Sequence, residues 1–389
     1  MKVKLLLFVL LSFSMIQLIA QQKNTYLDRS EEIMKLVWEK YRVHEHGLFS
    51  EYYPNTFKPD LTYFQQSNQK AKEVSYLWPM SGLFSAVNIL SELKPEVYIP
   101  YVDSMVLAVE QYLDTSRTPH GYQAYPSKFE TVDRYYDDNG LVGIDYMDSY
   151  AITGNANYLS KAQDVMAFIE SGWTDSFGGG VAWLEGVHDQ KPACSNGKAT
   201  VLALKIYTAT KDDKYLNYGI QSYNWMLGTL QDKDLNIIWN ALLTPPDGTS
   251  KVQQHAYTYN TGTMIQAAVR LYKITSNAKY LEDARNLAEG SYNYYFDYTP
   301  EGIPHVKDIP WFTLVLFRGY QELFEIDQDS KYIDAVIERA DWAWHNARDE
   351  EGLPYQDWTG RKKEYKTPKW LLDTSCMAEL YARIAQLKD

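Results

Sequence analysis

The feature that most narrows what this chain folds into is a unit that returns along it: an amphipathic helix, a short turn, a Tyr-Leu or Tyr-Ile pair, and a second amphipathic helix. The clearest copies span 141–170, with Thr153-Gly154-Asn155 before Tyr158-Leu159; 199–228, with Thr210-Lys211-Asp212-Asp213 before Tyr215-Leu216; and 262–291, with Thr275-Ser276-Asn277 before Tyr280-Leu281. A fourth runs through 313–346 with Tyr332-Ile333, and a weaker one through 80–113 with Tyr98-Ile99. In the second helix of the first copy, Leu159, Ala162, Val165, Met166 and Ile169 recur at spacings of three and four. Such a stripe must be buried against neighbours. The Asn, Asp and Gly of the turns suit the end of one helix and the cap of the next. An opening helix near 28–43 and a closing one near 370–387 bring the total to about twelve, or six hairpins. An open solenoid needs polar caps at both ends, whereas these terminal helices are both amphipathic and fit to pair with each other. The expectation is an all-α (α/α)6 barrel, a toroid of six helical hairpins. The N-terminal ends of its inner helices, with their loops, would line one concave face.

Four connections are long: 44–76, 116–136, 171–198 and 229–258. Loops of that length in a compact domain are usually functional. The last contains Pro245-Pro246-Asp247-Gly248 between two apolar segments, which predicts one small β-hairpin around an Asp-Gly turn. No Ser/Gly/Pro-rich linker divides the chain, so 21–389 reads as a single catalytic domain. Ahead of it, Lys2 and Lys4 precede an apolar run from Leu5 to Ala20, the pattern of a signal peptide over 1–20. Ser12, Ser14 and Gln17 interrupt the run, which is shorter than the roughly 20 apolar residues a membrane span needs. The chain is therefore expected to be exported, periplasmic or extracellular, without a membrane span, and monomeric.

The formal net charge of −12 argues against nucleic acid or anionic membrane as partner and leaves a neutral ligand as the better fit. With 33 Tyr and 11 Trp, the chain is rich in side chains that combine an aromatic face with a polar edge, which suits the C–H faces and hydroxyl rims of sugars. Cys194 and Cys376 read as two small core residues, with a single long-range disulfide as the alternative. His44, His46, His188 and His255 have no metal spacing, and no metal or cofactor is expected.

The strongest chemical signal is Tyr135-Tyr136-Asp137-Asp138-Asn139-Gly140, where a long loop meets a helix. Two adjacent carboxylates repel, so one stays protonated to higher pH than the other. Acid/base glycoside chemistry needs that split: one group ionised as nucleophile, one protonated to assist the leaving oxygen. The ordinary alternative is capping, since Asp at a helix N-terminus satisfies free N–H groups and complements the dipole. A calcium loop does not fit, because Tyr135 and Tyr146 would fall at ligand positions.

Tyr136-Asp137-Asp138-Asn139 before a helix, then Thr153-Gly154 and Tyr158-Leu159, resembles the signature of glycoside hydrolase family 76, the endo-α-1,6-mannanases. Three further stretches match in order: Gly178-Gly179-Gly180-Val181-Ala182-Trp183, Lys191 with Ala193-Cys194-Ser195-Asn196-Gly197, and Tyr257-Thr258-Tyr259-Asn260 before Gly262. The resemblance covers about 35–389. It implies an (α/α)6 barrel that cleaves α-1,6-linked mannan with retention, Asp137 as nucleophile and Asp138 as acid/base, with an α-mannan oligosaccharide or polysaccharide as partner. Tyr136, Asn139, Trp183, Asn196, Tyr259, Asn260 and Trp311 are the candidate sugar contacts, with helix capping as the competing role for Asn196 and Asn260. His305 lies with Trp311 in a pre-helix loop and reads as a wall residue. Two departures stand out: Ala182 replaces a usual aromatic, which puts one stacking contact in doubt, and Thr261 stands where the family has Gln.

Two other readings compete. An unsaturated glucuronyl hydrolase would use the same barrel on anionic sugars and would want a cationic pocket, yet few basic residues surround Asp137 in the sequence. A non-catalytic glycan-binding protein would keep the aromatics but would have no use for two adjacent carboxylates.

Overall fold

Burial divides the helices into two alternating kinds. The computed structural model describes residues 25–55, 74–361 and 368–388, so the leader read at 1–20 lies outside the described residues. Helix α1 occupies 25–40, followed by α2 (Leu77–Leu93), α3 (Pro95–Val109), α4 (Tyr136–Thr153), α5 (Ala156–Ser171) and α6 (Ala193–Thr210). Then come α7 (Asp213–Leu230), α8 (Thr258–Thr275), α9 (Ala278–Tyr295), α10 (Pro310–Asp327), α11 (Lys331–Asn346) and α12 (Leu371–Leu387). The even-numbered helices are buried on nearly every side; α12 is enclosed without a break from Leu371 to Ala382. The odd-numbered ones bury a single stripe, in α5 Tyr158, Ala162, Val165, Met166, Phe168 and Ile169. A helix enclosed all round belongs inside, and one with a stripe belongs at the surface.

Packing follows this division. The even helices pack in succession, α2 on α4, α4 on α6, α6 on α8, α8 on α10, α10 on α12, and α12 back on α2. From α3 to α11, each odd helix packs against the even helix before it. The opening helix joins the closing ones: Ser30 Oγ donates to the Ala378 carbonyl at 2.7 Å, and Tyr26 and Arg29 both bond Asp341 of α11. Between α8 and α10 the backbones themselves touch. A Cβ at Gly262 would lie 2.4 Å from the Leu316 Cα, and one at Gly319 would lie 2.6 Å from the Gly262 carbonyl oxygen.

Lower down, charge replaces apolar packing at one register. The thirteenth residue of α4, α6, α8, α10 and α12 is Asp148, Lys205, Arg270, Glu322 and Arg383 in turn. Lys205 pairs with Asp148, Arg270 with Glu322 at 2.6 Å, and Arg383 with Glu379 at 2.6 Å. Arg318 completes this layer with two bonds to the buried Glu379, at 2.8 and 2.7 Å. Breaking such a buried pair from one side leaves an uncompensated charge and costs about 3–5 kcal/mol.

The hairpin turns repeat one geometry. Gly154, Lys211, Ser276 and Gln328 all close an even helix in the left-handed region, with φ between 58° and 67°. In the first three turns the next residue, Asn155, Asp212 or Asn277, accepts a bond from the N–H two residues on and caps the odd helix. Each is preceded by a Thr whose hydroxyl donates to the carbonyl four residues back.

The sequence predicts one small β-hairpin; the structure has it and extends it. Ile237–Leu243 pairs antiparallel with Lys251–Ala256, and Gly248 closes the turn by donating to the Pro245 carbonyl at 3.2 Å. Ile237–Leu243 also pairs with Gln190–Pro192 and Gln231–Asp232, which makes a four-stranded sheet. Among the described residues, four further ladders join strands of two or three residues, including Leu113–Asp114 with Gly121–Tyr122. They satisfy backbone groups of long loops that would otherwise be buried unpaired, and they are too short to show an alternating pattern.

Two substitutions test these constraints. Gly262→Ala should overpack the α8–α10 contact and lower stability by about 1–3 kcal/mol. Ser276→Gly should relieve a left-handed residue and raise stability by about 0.5–1 kcal/mol. Thermal melts followed by circular dichroism check both; unchanged melting in Gly262→Ala would contradict the close approach of the two backbones.

Candidate active site

The site is set by how each inner helix begins. In α4 the fourth residue, Asn139, is fully buried; its Oδ1 accepts the Tyr122 N–H at 2.7 Å, and its Nδ2 donates to the carbonyls of Tyr122 and Tyr135. In α6 the fourth residue, Asn196, repeats this: Oδ1 accepts the Val181 N–H at 2.7 Å, and Nδ2 donates to the carbonyls of Val181 and Pro192. In α8 the fourth residue is Thr261, whose hydroxyl accepts the Ile238 N–H at 3.1 Å. Each side chain acts as a one-residue strand partner for an incoming loop. A glycine follows each of them and admits the neighbouring element: a Cβ at Gly140 would lie 2.9 Å from the Lys198 Cβ, and one at Gly197 would lie 3.0 Å from the Thr263 Cγ2.

This register corrects several expectations. Asn139 and Asn196 were natural candidates for sugar hydroxyls, but their amide atoms already bond backbone and neither residue lines the cleft. Asn260 stands one position before the register residue Thr261, is buried, and also does not line the cleft. Tyr136 stacks on Phe168 at 4.9 Å and covers Gly172, where a Cβ would meet the ring at 2.4 Å, so it belongs to the core. Its neighbour Tyr135 is the tyrosine that faces the cleft. Ala182 is buried and does not line the cleft. His305 sits on the strand Pro304–Val306 against α11 and is not part of the wall either.

A cleft of about 540 Å³ opens over the N-terminal ends of α2, α4, α6, α8 and α10. Eight of its lining residues are aromatic: Tyr76, Trp78, Tyr135, Trp183, Tyr257, Tyr259, Trp311 and Phe312. Trp183 lies 5.0 Å from the Tyr135 ring, Tyr259 stacks on Tyr257 at 5.4 Å, and Trp311 meets Trp78 edge-on at 5.2 Å. Of the expected contacts, the structure thus brings Trp183, Tyr259 and Trp311 together with the carboxylate pair. Trp183 is placed by the loop before it. Gly178, Gly179 and Gly180 all have positive φ, and Cβ atoms on the last two would strike Trp173 and Trp225. Lys191 holds the same loop by donating to the carbonyls of Thr174, Ser176 and Gly179. Burial pulls its pKa down to about 8.

Asp137 and Asp138 occupy the first turn of α4, where the N-cap Tyr135 supplies no side-chain bond. Both line the cleft. Asp137 Oδ2 lies 3.9 Å from the Lys198 ammonium, and its Oδ1 is enclosed with no hydrogen-bond partner among the described residues. Burial, reinforced by the charge of Asp137, pushes the pKa of Asp138 well up, and Lys198 partly opposes the shift. One carboxyl therefore faces a cation while the other is held towards its protonated form. The nearby Cys194 thiol is likewise pushed up, first by burial and then by Asp137. Cys194 and Cys376 are both free, so the long-range disulfide is not formed. Among the described residues no three His, Cys, Asp or Glu side chains gather as a metal site.

Lys198, Trp78 and Phe312 are cleft residues that the sequence did not single out, as are Gln190, Asn240 and Gln253 on the sheet; Tyr135, Cys194 and Tyr257 stand in the matching stretches but were not expected as contacts. For Lys198 a signal exists in hindsight, because it follows Asn196-Gly197 within the first two turns of an inner helix. The sheet residues have none, since their strands come together only in the fold.

Comparison with known proteins agrees with this geometry. The model of glycosyl hydrolase family 76 matches residues 37–308. A family 76 glycoside hydrolase (mannosidase) from Bacteroides thetaiotaomicron is 28% identical, with 93% of this chain and 98% of that one covered at a TM-score of 0.83. An inactive variant of an α-1,6-mannanase from Salegentibacter, solved with α-1,6-mannotriose, shares the fold at 22% identity and a TM-score of 0.75, covering 93% of this chain and 99% of that one. The mannan endo-1,6-alpha-mannosidase of Saccharomyces cerevisiae is 28% identical over 132 residues, 31% of this chain and 28% of that protein. The matches span about a third of the length of the curated relatives. With most of its length under the family model and its fold shared almost end to end with solved members, the chain belongs to glycosyl hydrolase family 76.

Proposed function

We propose that this chain is a retaining, endo-acting α-1,6-mannanase that hydrolyses the α-1,6-mannan backbone through Asp137 and Asp138. The observation that carries the reading is the opposed environment of two adjacent carboxyls on the floor of an aromatic cleft. In the first step the Asp137 carboxylate attacks C1 of the mannosyl unit while Asp138 gives its proton to the departing glycosidic oxygen. In the second, Asp138 takes a proton from water, the water oxygen bonds to C1, and the bond to Asp137 breaks. Trp183 is placed to offer a ring face to the sugars, with Tyr259 and Trp311 packed behind Lys198 in the same wall. The α-1,6-mannotriose bound by the Salegentibacter neighbour and the activity of the yeast relative support the choice of linkage. Among the described residues Lys198 is the one cation lining the cleft, against two carboxyls, which disfavours anionic uronic sugars and the glucuronyl hydrolase reading. The return of α12 onto α2 supports the (α/α)6 barrel as the architecture. The basic and apolar leader supports export to the periplasm or beyond, with 21–389 as a monomeric catalytic domain.

Residues 21–389, incubated with debranched α-1,6-mannan in the presence of EDTA, should release manno-oligosaccharides of α configuration, and branched mannan should react more slowly. Release only from uronic-acid substrates, or β products, would overturn the assignment.

Asp137→Ala should abolish turnover on every substrate, a loss of at least about 10⁴-fold. Asp138→Ala should lose about 10²–10⁴-fold on mannan but far less on aryl mannosides with activated leaving groups. Azide should then restore rate in Asp138→Ala and yield α-mannosyl azide, read by NMR of the product. Rescue of Asp137→Ala with retained configuration would reverse the roles.

The raised pKa of Asp138 also fixes the sign of a stability effect. A carboxyl whose folded pKa lies above its unfolded value stabilises the fold at low pH and withdraws that stability as pH rises through the folded pKa. Asp138→Asn never ionises, so its melting temperature should gain on the wild type as pH increases. A constant difference across pH would contradict the burial of this carboxyl.

A further inference from the structure

The cleft contains a charge that the two-carboxylate scheme leaves unused. Lys198 is the sixth residue of α6, and its side chain is 6% exposed. Its stem lies against α4 because Gly140 has no Cβ there; a Cβ would come within 2.9 Å of the Lys198 Cβ. That contact aims the ammonium at the first turn of α4, 3.9 Å from Asp137 Oδ2. On the other side the ammonium faces two rings, Tyr259 at 5.9 Å and Trp311 at 5.8 Å to the centroids. Aromatic faces hold a cation in place and keep water from screening it. Among the described residues the other titratable groups lining the cleft are Tyr76, Tyr135, Cys194, Tyr257 and Tyr259, none of them a cation.

We propose that Lys198 is the positioning residue that turns Asp138 from acid into base between the two half-reactions. This rests on Asp137 and Asp138 being the catalytic pair. In the resting enzyme Asp138 feels two opposed charges: Asp137 strengthens its hold on a proton, and Lys198 weakens it. When Asp137 attacks C1 it becomes a neutral ester and its charge leaves the site, while the ammonium stays. Asp138, having given its proton to the glycosidic oxygen, is then a carboxylate whose strongest charged neighbour is a cation. In that form it can hold hydrogen-bonded water and take its proton as the water oxygen bonds to C1. The fixed charge makes the change of role follow from the covalent chemistry itself, with no movement of the protein.

The test is Lys198→Met, assayed on a 2,4-dinitrophenyl α-1,6-mannobioside, whose activated leaving group needs little acid assistance. The mannosyl-enzyme should accumulate, seen as a burst of dinitrophenol and as the adduct in intact-protein mass spectrometry. Steady-state kcat should fall at least about tenfold and recover at higher pH. Both limbs of the kcat/KM profile should move up by about one pH unit, as expected when an opposite charge a few ångströms away is removed. Lys198→Arg keeps the charge and should keep the wild-type limbs. Lys198→Gln, polar and of similar length, carries the same assay if the Met variant does not fold. Unmoved limbs with no burst in the folded Met or Gln variant would overturn the role of Lys198. If Asp137→Asn and Asp138→Asn are inactive alongside that result, the carboxylate pair stands and this inference alone fails; if they stay active, the pair itself is wrong.

Discussion

Six enclosed helices have to approach one another closely enough at their first turns for loops from separate parts of the chain to meet over them. That approach is the constraint on which the rest depends. It is met where side chains are smallest: Gly140 against Lys198, Gly197 against Thr263, Gly262 against the backbone of α10. Convergent helix N-termini place partial positive charge under the cleft, which is why two neighbouring carboxyls can sit there. They still differ, because one looks across the gap at an ammonium and the other is recessed beside it.

The charged layer lower in the same helices works by another principle. Burying ion pairs adds little net stability, since desolvation offsets most of the attraction. What Asp148 with Lys205, Arg270 with Glu322 and Arg318 with Glu379 contribute is discrimination: rotating or sliding one helix would strand a charge. The glycine contacts set how near the helices come, and the charge layer sets how each is turned.

The hairpins and their order were legible because apolar periodicity reports a buried stripe, and because Thr153-Gly154-Asn155 and its counterparts carry recognisable caps. The starts of the even helices were not. They begin three to six residues before the repeat becomes visible; in α4 and α6 this is because the first turns hold Tyr136-Asp137-Asp138-Asn139 and Ala193-Cys194-Ser195-Asn196 rather than an apolar stripe. Asp137 and Asp138 stood out as charge where charge is costly. Asn139 and Asn196 were candidates through the family resemblance, and only their bonds to Tyr122 and Val181 distinguish a loop anchor from a sugar contact. Lys198 was overlooked because its place after Asn196-Gly197 gains meaning only from Gly140, fifty-eight positions away.

The anchoring by Asn139, Asn196 and Thr261 bears on how such a scaffold diversifies. Each incoming loop is pinned at one backbone unit, Tyr122, Val181 or Ile238, by a side chain that belongs to the helix. A backbone N–H is the same whatever residue bears it, so the attachment is blind to the loop's sequence. Changes between those pins leave the attachment points themselves in place wherever the pinned residue keeps its N–H. A lineage built this way can rewrite the walls of its cleft piece by piece, trading one glycan branch for another while the floor is inherited unchanged.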